Sequence, residues 1–177
     1  MKHTLHDQDI QGARITVMGL GRFGGGAGAV RWLRARGARV TVTDLRTEDE
    51  LAPALDELGR VVLTLRLFSH ELRDIESCDA LVVNPAIPRP WENRFVRAAF
   101  DCGAVVTTEI RLACERIPAG VHTVGVTGTT GKSTTVSMLH RALRSCWPGG
   151  RAHLAGNIGG SLLNALDELK PGDALAL

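Results

Sequence analysis

Two glycine-rich loops, each set between a β-branched run and a helical one, leave this 177-residue chain few folds to choose from. The first loop is Gly19-Leu20-Gly21-Arg22-Phe23-Gly24, directly after Arg14-Ile15-Thr16-Val17-Met18. The second is Thr127-Gly128-Thr129-Thr130-Gly131-Lys132-Ser133-Thr134, after the run from Val121 to Val126. A strand that ends in a glycine loop and turns at once into a helix opens a βα unit, and such units assemble into parallel sheets.

The rest of the chain keeps that alternation. Arg39-Val40-Thr41-Val42-Thr43 alternates and is β-branched, so it reads as a second strand ending at Asp44. Thr47 with Glu50 three residues on is a capping-box signature for a helix through about Leu58. Further strands are expected over 61–65, 80–84 and 104–107, with helices over 26–36, 69–77, 91–102 and 109–115; Gly37 and Gly103 are helix stops. Arg116-Ile117-Pro118-Ala119-Gly120 then punctuates the chain, and the pattern restarts. Strands are expected over 121–127, 151–155 and 173–177, with helices over 132–146 and 160–169. The expected fold class is therefore α/β. A Rossmann-like parallel-sheet domain (1–117) is followed by the first part of a P-loop α/β domain (118–177).

Composition removes several function classes. Hydrophobic residues at 44% and charged residues at 23% suit a folded protein, and a net charge of +2 is too small for a nucleic-acid surface. No apolar run reaches the roughly 20 residues that span a bilayer, and the polar start lacks a secretory signal's apolar core. A cytoplasmic protein is the default, expected to be monomeric, with no nucleic-acid or membrane partner. Cys78, Cys102, Cys114 and Cys146 have no C-x-x-C spacing and are expected to be small buried or half-buried thiols. His3 and His6 are too few for a structural zinc site.

The first loop matches G-x-G-x-x-G between strand and helix, where glycines let the backbone approach a pyrophosphate at a helix N-terminus. Asp44, twenty residues after Gly24, stands where an acidic side chain binds a ribose hydroxyl or a base edge. The motif implies a phosphate-bearing ligand and leaves NAD and other nucleotides open. Gly25, Gly26 and Gly28 weaken the helix start by about 0.5–1 kcal/mol each relative to alanine. Either close packing of helix on sheet or access for a bulky ligand would explain them.

The second loop is the sharper signal. Backbone N–H groups from Gly128 to Thr134 can surround a polyphosphate, Lys132 supplies charge, and the Ser133 hydroxyl is placed to ligate Mg²⁺. The loop departs from G-x-x-x-x-G-K-[ST], since Val126 stands five residues before Gly131 and Gly128 makes the loop shorter. ATP is the expected ligand. A dehydrogenase needs only the first loop and a simple kinase only the second. A chain with both is expected to bring ATP to a second nucleotide-bearing substrate.

These residues resemble the Mur ligases, and within them the D-glutamate-adding branch. The resemblance is carried by Gly19-Leu20-Gly21 with Asp44 and Arg46, Asn84-Pro85-Ala86-Ile87-Pro88, Glu109-Ile110, the Thr-Gly-Thr-Thr-Gly-Lys-Ser-Thr loop and Gly156-Asn157-Ile158-Gly159. It runs from about Arg14 to Leu177. It implies a first domain that holds the UDP of UDP-N-acetylmuramoyl-L-alanine, a central ATPase domain that uses Mg²⁺, and a C-terminal domain for D-glutamate. An acyl phosphate would be the intermediate. Carried over by motif, Gly19, Leu20, Gly21, Arg22, Phe23 and Gly24 face the pyrophosphate, Asp44 and Arg46 the uracil, and Asn157 the UDP-muramoyl substrate. Gly128, Thr129, Thr130, Gly131, Lys132, Ser133 and Thr134 hold ATP, with Lys132 as the catalytic charge and Ser133 on the metal. Phe23 and Gly26 stand where the family often has hydroxyl residues, and Ala86 replaces a usual glycine. The family's Glu-Ser-Ser segment and later motifs lie beyond Leu177. The chain therefore reads as an N-terminal fragment, inactive by itself, whose last strand is expected to leave an unprotected edge and whose second half has a marginal core of its own. A non-catalytic nucleotide-sugar binding module, the L-alanine-adding branch and an NAD-dependent oxidoreductase remain the alternatives.

Overall fold

A computed structural model describes residues 4–21, 24–59 and 64–177. The first sheet has five strands: β1 (Arg14–Met18), β2 (Arg39–Thr43), β3 (Thr64–Arg66), β4 (Ala80–Val83) and β5 (Val105–Thr107). All pairings are parallel and the order is β3-β2-β1-β4-β5, the Rossmann-like order expected for this part of the chain. The strand expected over 61–65 is described only from Thr64; its earlier residues lie outside the described residues.

Alternation along the central strands divides the core into two layers. Ile15, Val17, Ala80 and Val82 face the larger cluster, under α1 (Gly25–Ala35), α2 (Glu48–Leu58) and α5 (Glu109–Cys114). Met18, Leu81 and Val83 face the other side, with Ile75 of α3 (Leu72–Glu76) and Phe95, Val96 and Ala99 of α4 (Arg94–Asp101). Strands buried on both faces suit a parallel sheet covered by helices on each side.

Local signals act as read. The Thr47 hydroxyl accepts from the Glu50 N–H at 3.2 Å, and the Thr47 N–H donates to Glu50 Oε2 at 3.0 Å, completing the capping box of α2. Gly37 and Gly103 take left-handed φ of 82° and 78° beyond α1 and α4. The helix expected from Trp91 begins only at Arg94, because Asn93 caps it by accepting from the Phe95 and Val96 N–H groups.

The second sheet comprises β6 (His122–Val124), β7 (Ala152–Leu154) and β8 (Ala174–Ala176), with α6 (Lys132–Cys146) and α7 (Leu162–Ala165). Its order is β6-β8-β7, all parallel. The last strand is thus the middle of its sheet, contrary to the expected open edge. Leu175 pairs with both Thr123 and His153, and the open edges fall on β6 and β7. Asp173 anchors the entry to β8: Oδ1 accepts from the Arg151 N–H at 2.8 Å, Oδ2 from the Lys170 N–H at 3.0 Å, and Oδ2 lies 3.0 Å from His153 Nε2.

The 160–169 helix is also shorter than expected. It is one α-turn, α7, continued as a 3-10 turn over Leu166–Glu168. Leu162, Leu163, Leu166 and Leu169 do not build a separate small core. They join the large cluster beneath the first sheet, with Leu33, Val30 and Trp32. The cysteine expectation fails for three of four: Cys78 is buried, whereas Cys102, Cys114 and Cys146 are exposed. Those three stand at or just beyond the last turns of α4, α5 and α6, where the helix ends run out to solvent.

Candidate functional site

A cavity of about 600 Å³ opens at the C-terminal ends of β1, β2 and β4. Strand order reverses between β1 and β4, and open α/β sheets bind ligands at such a point. The first glycine loop forms its floor. Gly19 and Gly21 take φ of 88° and 74°, and a Cβ on either would meet Asn84, at 2.9 Å from its Cβ and 2.6 Å from its Nδ2 respectively. Asn84 is the reason for that closeness. Its Nδ2 donates to the Gly19 carbonyl at 3.1 Å and its Oδ1 accepts from the Ala86 N–H at 2.9 Å, tying the β1 and β4 loops together.

Asp44 closes the loop from the other side. It is 4% exposed, and its Oδ2 accepts from the Leu20 N–H at 2.9 Å. Its Oδ1 accepts from the Arg46 N–H at 3.0 Å, and the Arg46 guanidinium lies 3.6 Å from Oδ2. Two backbone donors and one cation thus surround this carboxyl group. His70 lines the same wall, with Nδ1 2.9 Å from Thr43 Oγ1 and its ring edge-on to Phe95 at 5.3 Å. Burial pushes the His70 pKa down, and the nearby Asp44 charge offsets part of that.

Asn157 reaches the cavity from the second sheet. It sits in the loop between β7 and α7, which closes on itself where the Gly156 N–H donates to the Gly160 carbonyl at 2.8 Å. Gly159 takes φ of 85°, and a Cβ there would lie 2.3 Å from the Leu154 carbonyl oxygen, so the loop hugs β7.

Of the expected UDP-facing residues, Gly19, Leu20, Gly21, Asp44, Arg46 and Asn157 line one cavity. Gly24, the left-handed residue before α1, is not among its lining residues, and Arg22 and Phe23 lie outside the described residues. His70 and Glu109 line it too, although neither was expected to touch ligand. No motif announces His70; only its loop position after β3 could have suggested it. The extra glycines also resolve. A Cβ on Gly26 would lie 2.1 Å from the Leu20 carbonyl oxygen, so no hydroxyl side chain fits there. Gly28 meets Ser161 of the α7 cap, so its packing is helix on helix rather than helix on sheet. Gly25 alone of the three has room at its Cβ, and it lines the cavity beside Glu109.

The residues from Gly128 to Thr134 stay apart from this cavity, exposed at the C-terminal end of β6. Gly128 and Gly131 have φ of 146° and 79°, and no side chain caps α6, so its first N–H groups remain open to a ligand. Lys132 Nζ folds over the loop and donates to the Gly128 carbonyl at 2.5 Å and the Thr129 carbonyl at 3.3 Å. Such a donor set fits a polyphosphate. Among the described residues, no group of three or more His, Cys, Asp or Glu is arranged for a metal ion. No described helix is long and apolar enough to cross a membrane.

The chain has relatives among known proteins. Residues 13–108 match the family model described as Mur ligase MurD-like, N-terminal domain. The chain is similar to the UDP-N-acetylmuramoylalanine--D-glutamate ligase of Geobacter metallireducens, at 38% identity over 159 residues. That match covers 90% of this chain and 33% of the relative. The enzyme of the same name from a Roseiflexus species is 38% identical over 160 residues, covering 90% and 32%. Among solved structures, a pseudomurein peptide ligase type C from Methanothermus fervidus superposes with a TM-score of 0.47 at 24% identity, covering 92% of this chain and 32% of that one. The chain spans about a third of the length of the curated relatives it matches.

Proposed function

Because the chain belongs to the Mur ligase family, through a MurD-like N-terminal domain, we propose that it is the nucleotide-sugar-binding and first ATP-binding part of a D-glutamate-adding ligase of peptidoglycan precursor synthesis. The proposed reaction joins D-glutamate to UDP-N-acetylmuramoyl-L-alanine in the cytoplasm, where ATP is at hand. The alanyl carboxylate takes the γ-phosphoryl group of ATP and ADP leaves. The amine of D-glutamate then displaces phosphate, so ATP cleavage drives one amide bond.

One observation carries the proposal. Asn157, from beyond the second glycine loop, lines the same cavity as Gly19–Gly21, Asp44 and Arg46. Backbone N–H groups hold both Asp44 carboxylate oxygens and fix the orientation of the carboxylate at the cavity wall. A pyrimidine imide, with one N–H between two carbonyls, matches the remaining lone pairs and the adjacent Arg46 guanidinium. The Gly19 and Leu20 N–H groups are held by the Thr43 carbonyl and Asp44, so the diphosphate would meet this loop at the Gly21 backbone.

At the second loop, Gly128–Thr134 would hold ATP through backbone N–H groups and the Lys132 ammonium. That ammonium would exchange its two loop carbonyls for phosphate oxygens. Mg²⁺, when bound, supplies further charge on the phosphates, and Ser133 is the side chain that would ligate it.

Titration calorimetry with UDP-N-acetylmuramoyl-L-alanine tests the proposal. The wild-type chain is expected to bind it, Asp44→Ala to bind it at least tenfold more weakly, and Lys132→Ala to bind it unchanged while losing ATP. Binding of NADH in place of the uridine nucleotide would overturn it.

A further inference from the structure

Glu109 lines the nucleotide cavity, yet its carboxylate is turned onto the second sheet's side of the molecule. Ser161 Oγ donates to Glu109 Oε1 at 2.5 Å, and the backbone N–H groups of Leu162 and Leu163 hydrogen-bond to the same carboxylate. Glu109 is the first residue of α5 and Ser161 the residue before α7, so one side chain from the first domain serves the helix start of the other. Two glycines of α1 flank this contact, and only Gly28 is too close for a side chain. A Cβ on Gly28 would stand 2.3 Å from Ser161 Cβ, and one on Gly25 would come within 3.6 Å of Glu109 Oε2. Ser161 is therefore wedged against α1 and bonded to α5 at once.

Asn157 lies four residues before Ser161, in the loop closed by the Gly156 N–H to Gly160 carbonyl bond. That closure ends at Gly160, the residue next to Ser161, so one short turn links Asn157 to the α7 start. Of the cavity's described lining residues, Asn157 is the one from beyond residue 120. The span between Asn157 and the Gly19–Gly21 floor is thus set through Glu109.

We propose that Glu109 is a positioning residue for the nucleotide-sugar site: by holding Ser161 and the start of α7 against α1, it fixes Asn157 at the distance the substrate needs. This rests on the proposed binding of UDP-N-acetylmuramoyl-L-alanine at that cavity. Glu109 itself touches the protein and not the reacting atoms.

Two measurements on the 177-residue chain test it. The first is ligand-free hydrogen exchange. Glu109→Ala is expected to raise exchange at Gly156–Leu163 selectively, while β1 and β4 amides keep their protection. Glu109→Gln is expected to restore most of it, since its amide oxygen can still accept the α7 N–H groups and its NH₂ can donate to Ser161 Oγ. Ser161→Ala, which removes one bond and no volume of note, should give an intermediate effect. Unchanged exchange at Gly156–Leu163 in Glu109→Ala, or a loss of protection spread over β1 and β4, would overturn the proposal whatever the ligand.

The second measurement is a double-mutant cycle on UDP-N-acetylmuramoyl-L-alanine affinity. Glu109→Ala is expected to weaken binding on the order of tenfold to a hundredfold, as misplacement of one contact does. It should weaken binding little further once Asn157→Ala is present, and additively with Asp44→Ala. Additivity with Asn157→Ala would overturn the positioning role. Absence of binding by the wild-type chain would instead overturn the proposed function, leaving the exchange experiment to decide on Glu109.

Discussion

Gly21 illustrates how much a single residue carries here. Its φ of 74° disfavours any side chain, and a Cβ would press within 2.6 Å of Asn84 Nδ2. Gly21→Ala should therefore lower stability by about 2 kcal/mol, measured by urea denaturation. A loss below about 0.5 kcal/mol would mean the loop can relax away from Asn84. Asp173 makes a second residue-level prediction. The Arg151 N–H above all, then the Lys170 N–H and His153, hold its carboxyl below the usual aspartate range, against the opposing effect of burial. A depressed folded pKa gives stability that is present above the unfolded value and lost as pH falls through the folded one. The second sheet should loosen in acid before the first, and Asp173→Asn should flatten that acid limb in a pH series of thermal midpoints. An acid limb unchanged by the substitution would contradict it.

Between elements, α1 offers a test in which two glycines of one helix respond with opposite sign. Alanine in a helix is worth about 0.5–1 kcal/mol over glycine. At Gly25 the new Cβ meets Glu109 only at ordinary contact, so Gly25→Ala should leave stability equal or slightly raised. At Gly28 it would collide with Ser161 Cβ, and Gly28→Ala should cost about 1–3 kcal/mol despite the propensity gain. Equal effects at the two sites would mean that α1 and α7 do not pack as described. The α5–α7 contact adds a pH signature. Burial, outweighing the Ser161, Leu163 and Leu162 hydrogen bonds, raises the Glu109 pKa. Stability should decline as pH rises from the usual glutamate range through that raised value, and Glu109→Gln should remove the decline.

The elements that the sequence announced are the ones whose causes are local. Thr47 and Glu50 are three residues apart and cap α2 as read; Lys132 to Cys146 is a helix from end to end as expected. What was not legible depends on partners distant in the chain. Nothing near Asp173 says that β8 enters between β6 and β7, because that order is decided by pairing with residues 22 and 52 positions away. Likewise the leucines of 162–169 are apolar on any reading, and only the packing of α7 on α1 shows which core they fill. At the site, the glycines, Asp44, Arg46 and Asn157 carry motif spacing and could be named in advance. His70 could not, and Glu109 carried only a family motif with no role attached, since each reaches the cavity through the tertiary arrangement of its loop or helix start.

At the scale of the whole molecule, two parallel sheets share one apolar cluster, and the cavity proposed to take the nucleotide sugar draws its walls from both halves of the chain. The second glycine loop, proposed to hold ATP, faces solvent apart from that cavity and leads into α6, whose only buried side chain is Val136. Nitrogen-15 spectra of the labelled chain titrated with UDP test the central claim most directly. The amides of Leu20, Gly21, Leu45, Arg46 and Asn157 should shift together along one saturation curve, with those of Gly128–Thr134 unmoved until ATP is added. Shifts confined to the first glycine loop, with Asn157 silent, or a response to NADH and none to UDP, would contradict it.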